Sequence, residues 1–337
     1  MTGAIRHGGA LDRAIARHGG RRETWLDLST GINPVAYPVP ELSADIWHRL
    51  PDEGLMEECL EAARAYYCVP DKAAIVAAPG TQAIIQWLPV LFNYLDRATI
   101  VAPTYGEYER ALKMTGVHIE QPGELPADPE GTDLLVLGQP NNPDGRTWPT
   151  DRILPFAQGR RVAVVDEAFA DVAPDCSLVS EAGRHGVLVL RSFGKFFGLA
   201  GLRLGFAIGD PDVVSGLAQM IGPWGVSGPA LAIGARAMRD GNWIAETRSR
   251  LACDSEKLAR LLERHGLRLV GRTNLFVTVY HLSAHDFAEE LGDRHILVRV
   301  FDHETGWIRF GLPSGEAGFE RLNSALAEIG ATMHNPA

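Results

Sequence analysis

The stretch "SFGKFFGLAGLRLGF", residues 192–206, sets one lysine, Lys195, among glycines, phenylalanines and leucines, with Ser192 and Arg203 to either side. Lysine is rarely buried without a partner, and a desolvated amine near other cations is held closer to its neutral form. Only the neutral amine attacks a carbonyl, so these surroundings suit a Schiff-base lysine, with the phenylalanines keeping water away. The hydroxyl of Ser192 and the guanidinium of Arg203 suit a phosphate. Asp166 ends the otherwise apolar run "RVAVVDEA", and a partly desolvated carboxylate there needs a cationic or N–H partner. "PGTQA" brings Gly80, Thr81 and Gln82 to the start of a helix, where backbone N–H groups can hold an anion. Taken singly, each has a plainer structural reading: a helix cap for Asp166, a Gly-Thr turn at 80, a core lysine at 195. A Schiff-base lysine, a phosphate cup and a carboxylate able to pair with a pyridinium nitrogen together imply pyridoxal 5′-phosphate. "GLAGLRLG" is no nicotinamide fingerprint, since no strand precedes it and no ribose-binding acid follows.

These residues need strands to carry them. Continuous apolar runs recur at 73–79, 98–104, 132–140, 161–168 and 186–192, as expected of strands buried on both faces of a parallel sheet. "TQAIIQWLPVLFNYL" and "YGEYERALKMTG" have helical period, the second closed by Gly116. The alternation predicts an α/β fold with a mainly parallel sheet over residues 45–230. Ligands of such sheets bind beyond the carboxyl ends of the strands. The residues found there are Gly80, Thr81 and Gln82, then Tyr105, then Asn141 and Asn142, then Asp166, then Ser192 and Lys195. Residues 1–44, rich in proline, read as an extended arm contributing to a smaller domain. Residues 231–337 read as a small α+β domain, with a long charged helix, strands in "LRLVGRTNLFVTVY", "HILVRVF" and "GWIRFGL", and a last helix.

The chain has 337 residues, 46% of them hydrophobic and 22% charged, which predicts a folded globular protein. Its formal net charge of −10 argues against nucleic acid or an anionic membrane surface as a partner and leaves small molecules. No apolar run reaches the length of a spanning helix and the N-terminus lacks a signal-peptide core, so a cytoplasmic protein is expected. Cys59, Cys68, Cys176 and Cys253 are scattered without a close pair, and no metal site is expected. His281 and His285 in "HLSAH" are spaced to share a helical face, but no acidic partner follows.

Residues 20–330 resemble the aspartate-aminotransferase superfamily of fold-type I pyridoxal-phosphate enzymes, through "PNNPDG" at 140–145, "DEAF" at 166–169, "SFGKFFGLAGLRLGF" and "IRFGLP" at 308–313. The resemblance implies that Lys195 bonds the cofactor, that Asp166 faces the pyridine nitrogen, that Asn142 meets the ring hydroxyl and that Tyr105 stacks on the ring. Gly80, Thr81, Gln82, Ser192 and Arg203 would bind the cofactor, chiefly at its phosphate, and Arg309 the substrate α-carboxylate. It also implies a homodimer, with Leu50 where relatives often carry a tyrosine that reaches the neighbouring subunit.

Within the superfamily the chain is most similar to the threonine-phosphate decarboxylases of cobalamin biosynthesis, through "RHGG" at 6–9, "LDLSTGINP" at 26–34, "APTYGEYERA" at 102–111, "PWGVS" at 223–227 and "ILVRV" at 296–300. This likeness implies a lyase that takes L-threonine O-3-phosphate to (R)-1-aminopropan-2-ol O-2-phosphate, with His7, Asn33, Asn142, Arg299 and Arg309 on the substrate. Left open are an aminotransferase such as histidinol-phosphate aminotransferase and a non-catalytic partner in the same pathway.

Overall fold

The computed structural model describes residues 8–301 and 306–333, which form two compact units, one of 8–35 with 248–301 and 306–333 and one of 36–247. The division falls at 35/36 and 247/248 rather than at 44/45 and 230/231. Tyr37 explains the first shift: its N–H donates to the Phe197 carbonyl (2.8 Å), and its ring meets those of Phe197 and Trp243 edge-on.

Along the chain, α1 (Leu11–His18) and β1 (Leu26–Asp27) open the first unit. The stretch is thus not wholly an extended arm: Leu11 and Ala14 of α1 are buried and cluster with Trp25, the usual reward for a helix with one apolar face. The second unit holds α2 (Asp45–His48), α3 (Glu53–Tyr67), β2 (Ala74–Ala78), α4 (Thr81–Leu91), β3 (Arg97–Ile100) and α5 (Glu107–Leu112). It continues with β4 (His118–Glu120), β5 (Leu134–Gly138), α6 (Thr150–Ile153), β6 (Val162–Asp166), β7 (Val187–Ser192) and α7 (Phe193–Phe196). It ends with β8 (Gly205–Gly209), α8 (Pro211–Ile221) and α9 (Gly228–Arg239). Packing of α9 on α3 explains why the second boundary falls after 230.

Seven strands make one sheet in the order β2-β8-β7-β6-β5-β3-β4, parallel except for β8, which is antiparallel to β2 and β7. The architecture is α/β with a mainly parallel sheet. β4, "HIE", and β8, "GFAIG", are the two strands of this sheet that the apolar-run reading passes over, because the first has one apolar residue and glycines at both ends leave the second only three. Val136, Val164 and Leu190 of the sheet pack with Ile84, Ile85 and Leu88 of α4 in one buried cluster. Each such side chain contributes about 1.5–3 kcal/mol on burial, so the strand ends beyond them are held firmly.

α10 (Gly241–Arg264) carries the chain back into the first unit, followed by β9 (Arg268–Thr273), β10 (Phe276–Tyr280), α11 (Ala284–Asp293), β11 (Ile296–Leu297), β12 (Arg299–Val300), β13 (Trp307–Gly311) and α12 (Gly315–Met333). The run "HILVRVF" divides: β11 pairs in parallel with β1, whereas β12 joins the antiparallel sheet β12-β13-β10-β9. His281 lies before α11 and its Nδ1 accepts the Ser283 N–H, so "HLSAH" is not a helical pair.

Candidate active site

In the larger unit the ends of β6 and β7 and the start of α4 bring the predicted residues together. Asp166 is the last residue of β6. Its Oδ2 accepts the Tyr108 hydroxyl at 2.8 Å and its Oδ1 the Ala168 N–H at 3.0 Å. Burial pushes the Asp166 carboxyl above its ordinary range, against the pull of Tyr108, the Ala168 N–H and Lys195. Lys195 sits half-buried on α7, with Nζ 6.0 Å from the centre of the Phe169 ring. Phe193, Phe196 and Phe197 are fully buried. Phe193 stacks on Phe197 and Phe197 on Trp243. The three phenylalanines therefore anchor the lysine segment in the core, while the Phe169 ring faces the amine.

Ser192, at the end of β7, faces Gly205 across the ladder. A Cβ on Gly205 would come within 2.7 Å of the Thr81 nitrogen, and a Cβ on Gly80, whose φ is +82°, would collide with the Arg203 guanidinium. Arg203 itself has φ 56°, a left-handed backbone that costs a side-chain-bearing residue about 1–3 kcal/mol and collects at ligand sites. Gly80, Thr81, Ser192 and Arg203 thus converge at the start of α4, whose first N–H groups have no partner within the helix.

Tyr105 donates its hydroxyl to Gln82 Oε1 (3.0 Å), and Gln82 Nε2 donates to the buried Glu107 (2.9 Å). Burial, helped by Glu107 and Asp166 and opposed by Arg203, pushes the Tyr105 hydroxyl up to about 12, so it stays a neutral donor. Gln82 is therefore placed to orient the Tyr105 ring. In the turn after β5, Asn141 is buried and bonded to Thr104, the Pro103 carbonyl and Asp144, while the neighbouring Asn142 is half-buried. Sequence reasoning missed Tyr108; its signal was the second tyrosine of "PTYGEY", three residues after Tyr105. It also passed over Arg191, which is buried between Glu167 (2.6 Å) and Asp171 (3.0 Å) beside the site.

In the smaller unit Arg299 and Arg309 are direct partners across β12 and β13. Like charges placed opposite each other in a sheet are destabilising, and an anion beside the pair would relieve that. Arg309 is buried, donates to the Ser29 carbonyl (2.9 Å) and lies over the Phe276 and Phe301 rings, with Arg299 over Phe301 as well. Burial and the neighbouring Arg299 push Arg309 down to about 9; the opposite charge of a bound carboxylate or phosphate would pull it back up. Asn33 is buried in this unit, its Oδ1 accepting from Arg250 (2.9 Å) and from the Val35 N–H (3.0 Å). His7 lies outside the described residues.

Residues 27–322 match the profile of the family described as aminotransferase class I and II. A threonine-phosphate decarboxylase of Sinorhizobium sp. is 41% identical over 98% of this chain and 99% of its own, and one of Pseudomonas aeruginosa is 38% identical over the same shares. The solved histidinol-phosphate aminotransferase from Sinorhizobium meliloti, in complex with pyridoxal 5′-phosphate, superposes with a TM-score of 0.83 over 99% of this chain and 98% of that one, at 19% identity.

The residues present fit that cofactor. The glycine-lined cup at the start of α4, with a guanidinium against it, suits a phosphate; Asp166 suits a ring nitrogen and Lys195 an aldehyde carbon. The cofactor of this chain is pyridoxal 5′-phosphate.

Proposed function

Because the chain belongs to the family of class I and II aminotransferases, we propose that it uses this cofactor to decarboxylate L-threonine O-3-phosphate to (R)-1-aminopropan-2-ol O-2-phosphate, the amine linker of the cobalamin nucleotide loop. The observation that carries the reading is near-full-length likeness to decarboxylases of that name, and the opposed Arg299 and Arg309 support it, since the substrate carries two anions.

When bound, the cofactor supplies an electron sink for the pair released as a bond to Cα breaks. The roles of the side chains follow from their chemistry. Asp166 holds a proton on the pyridine nitrogen. Thr81, Ser192 and Arg203 hold the cofactor phosphate, Tyr105 flanks the ring and Asn142 meets its hydroxyl. Arg309 would take the α-carboxylate, and Arg299, with His7 and Asn33, the substrate phosphate, so that the two anionic ends of the substrate would decide which bond to Cα is presented to the cofactor. Lys195 Nζ then delivers a proton to Cα: one C–C bond is lost as carbon dioxide and one C–H bond replaces it.

Incubation with L-threonine O-3-phosphate should release carbon dioxide and the phosphorylated amine in equal amounts. A keto acid with pyridoxamine phosphate would instead make the protein an aminotransferase. In the same assay Arg299→Ala should lose roughly a hundredfold in kcat/KM on the phosphorylated substrate and far less on plain threonine, because an unmatched phosphate is costly to bury. Equal losses on both would remove Arg299 from the phosphate.

No helix among the described residues is long and apolar enough to cross a membrane. We place the protein in the cytoplasm as a homodimer. Trp47, Leu50 and Trp224 are each more than half exposed, and Gly228 lies against the Ile46 backbone, so these apolar side chains come from adjoining segments that a second subunit could cover. Fractionation should recover it with the cytosol, and light scattering should give twice the chain's 36.6 kDa; a monomer would refute the assembly.

A further inference from the structure

Tyr108 sits on α5 with its ring fully buried and its hydroxyl on a carboxylate that stands 58 residues away in the chain. The two oxygens of Asp166 are held separately, Oδ2 by Tyr108 and Oδ1 by the Ala168 N–H, so the carboxylate cannot turn without losing a bond. The Tyr108 ring is itself fixed: Tyr105 meets it edge-on at 6.3 Å, and Tyr105 is tied through Gln82 to Glu107. We infer that Tyr108 is a positioning residue for cofactor binding, its hydroxyl fixing the orientation of the Asp166 carboxylate toward the cofactor ring.

The residue type suits the task. A cation in this place would pair with Asp166 and compete with a protonated pyridine nitrogen, whereas a neutral hydroxyl aims the carboxylate and leaves it its charge. Burial, and then Asp166 itself, holds the Tyr108 hydroxyl well above its ordinary range, so it remains a donor at any working pH. The groups facing Asp166 are Tyr108 and Tyr105 from the α5 region, the Ala168 N–H from its own strand end and Lys195 from α7. Burial raises the carboxyl; Tyr108, the Ala168 N–H and Lys195 lower it. Removing the Tyr108 hydroxyl therefore raises it further, and the ionised form is lost at a higher pH.

The inference rests on the assignment of Asp166 to the pyridine nitrogen, so Asp166→Asn runs beside Tyr108→Phe. Apoprotein of each is titrated with pyridoxal 5′-phosphate between about pH 5 and 9, and the dissociation constant is read from the visible absorbance. Tyr108→Phe should weaken binding about tenfold near neutrality, the scale of one hydrogen bond to a charged group, and move the acid limb of the profile to higher pH. Asp166→Asn should bind more weakly still and show no acid limb. Replacing Tyr108 by a fluorinated tyrosine, whose hydroxyl is the stronger donor, should move the limb to lower pH. Should Tyr108→Phe match the wild type in both readings while Asp166→Asn is impaired, Tyr108 merely packs and the inference fails alone. Wild-type binding by Asp166→Asn would overturn the Asp166 assignment and the inference with it. If Tyr108→Phe does not fold, the fluorinated variant decides, an unmoved limb overturning the inference.

Discussion

Lys195→Ala should give a folded protein that no longer shows the absorbance of the lysine-bound cofactor and turns over at least about a thousandfold more slowly. The fold should survive because the segment is anchored by its neighbours. Phe193, Phe196 and Phe197 are fully buried, Phe197 stacking on Phe193 and Trp243 while Phe196 meets Phe197 and Trp243 edge-on, whereas Lys195 is half-buried. Truncating it removes little packing. On the proposed reading two roles would vanish together: the amine that would bond the cofactor and the acid that would hand a proton to Cα. Absorbance after reconstitution, circular dichroism and single-turnover product formation read the three parts separately. Turnover within tenfold of the wild type would mean that Lys195 serves another purpose.

The largest effect on stability is expected at Arg191. Its guanidinium is buried between Glu167 and Asp171 and lies 4.4 Å from the centre of the Tyr67 ring. Burial alone would lower its pKa, but Asp171 and Glu167 together hold it above its ordinary value. Arg191→Met keeps the bulk and strips both carboxylates of their cation, at a cost of about 3–5 kcal/mol in unfolding free energy. The sign with pH is fixed by Glu167, which burial already holds above its ordinary range against the pull of Arg191. Without the cation its folded pKa climbs further above the unfolded one. The variant's deficit is then greatest above the folded pKa and shrinks as the pH falls toward about 4.3, where the unfolded chain also takes up the proton. Urea unfolding near neutrality and near pH 5 checks both statements. A loss below about 1 kcal/mol, or one that grows in acid, would show that the cluster is not what holds these strand ends.

What could be read from the chain and what could not follow one rule. Strands β5, β6 and β7 are legible because burial on both faces writes them as unbroken apolar runs, and Asp166, Ser192 and Lys195 are legible because they break those runs. Gly80 and Arg203 could be named, but that one abuts the other becomes visible only in the folded sheet. Tyr108 was illegible as a site residue: a tyrosine in a short helix looks like core, and it is core in every respect but its hydroxyl. Asn33 shows the converse. The resemblance gives it a ligand role, yet its oxygen already accepts from Arg250 and the Val35 N–H, so any substrate contact must use its remaining capacity. The helix α1 was missed because eight residues offer too little periodicity to outweigh the prolines that follow.

The antiparallel strand β8 separates two kinds of dependence within the site. Ser192 and Gly205 are ladder partners, so the segment that carries Lys195 and Arg203 is a short loop fastened at both ends to adjacent strands. Closing so short a loop costs little chain entropy. The Asp166–Tyr108 contact instead requires β6 and α5 to be in place. The lysine loop therefore has its two ends set by one strand pairing, while the Asp166–Tyr108 contact needs two separate elements, and substitutions that shift α5 should disturb Asp166 more readily than Lys195.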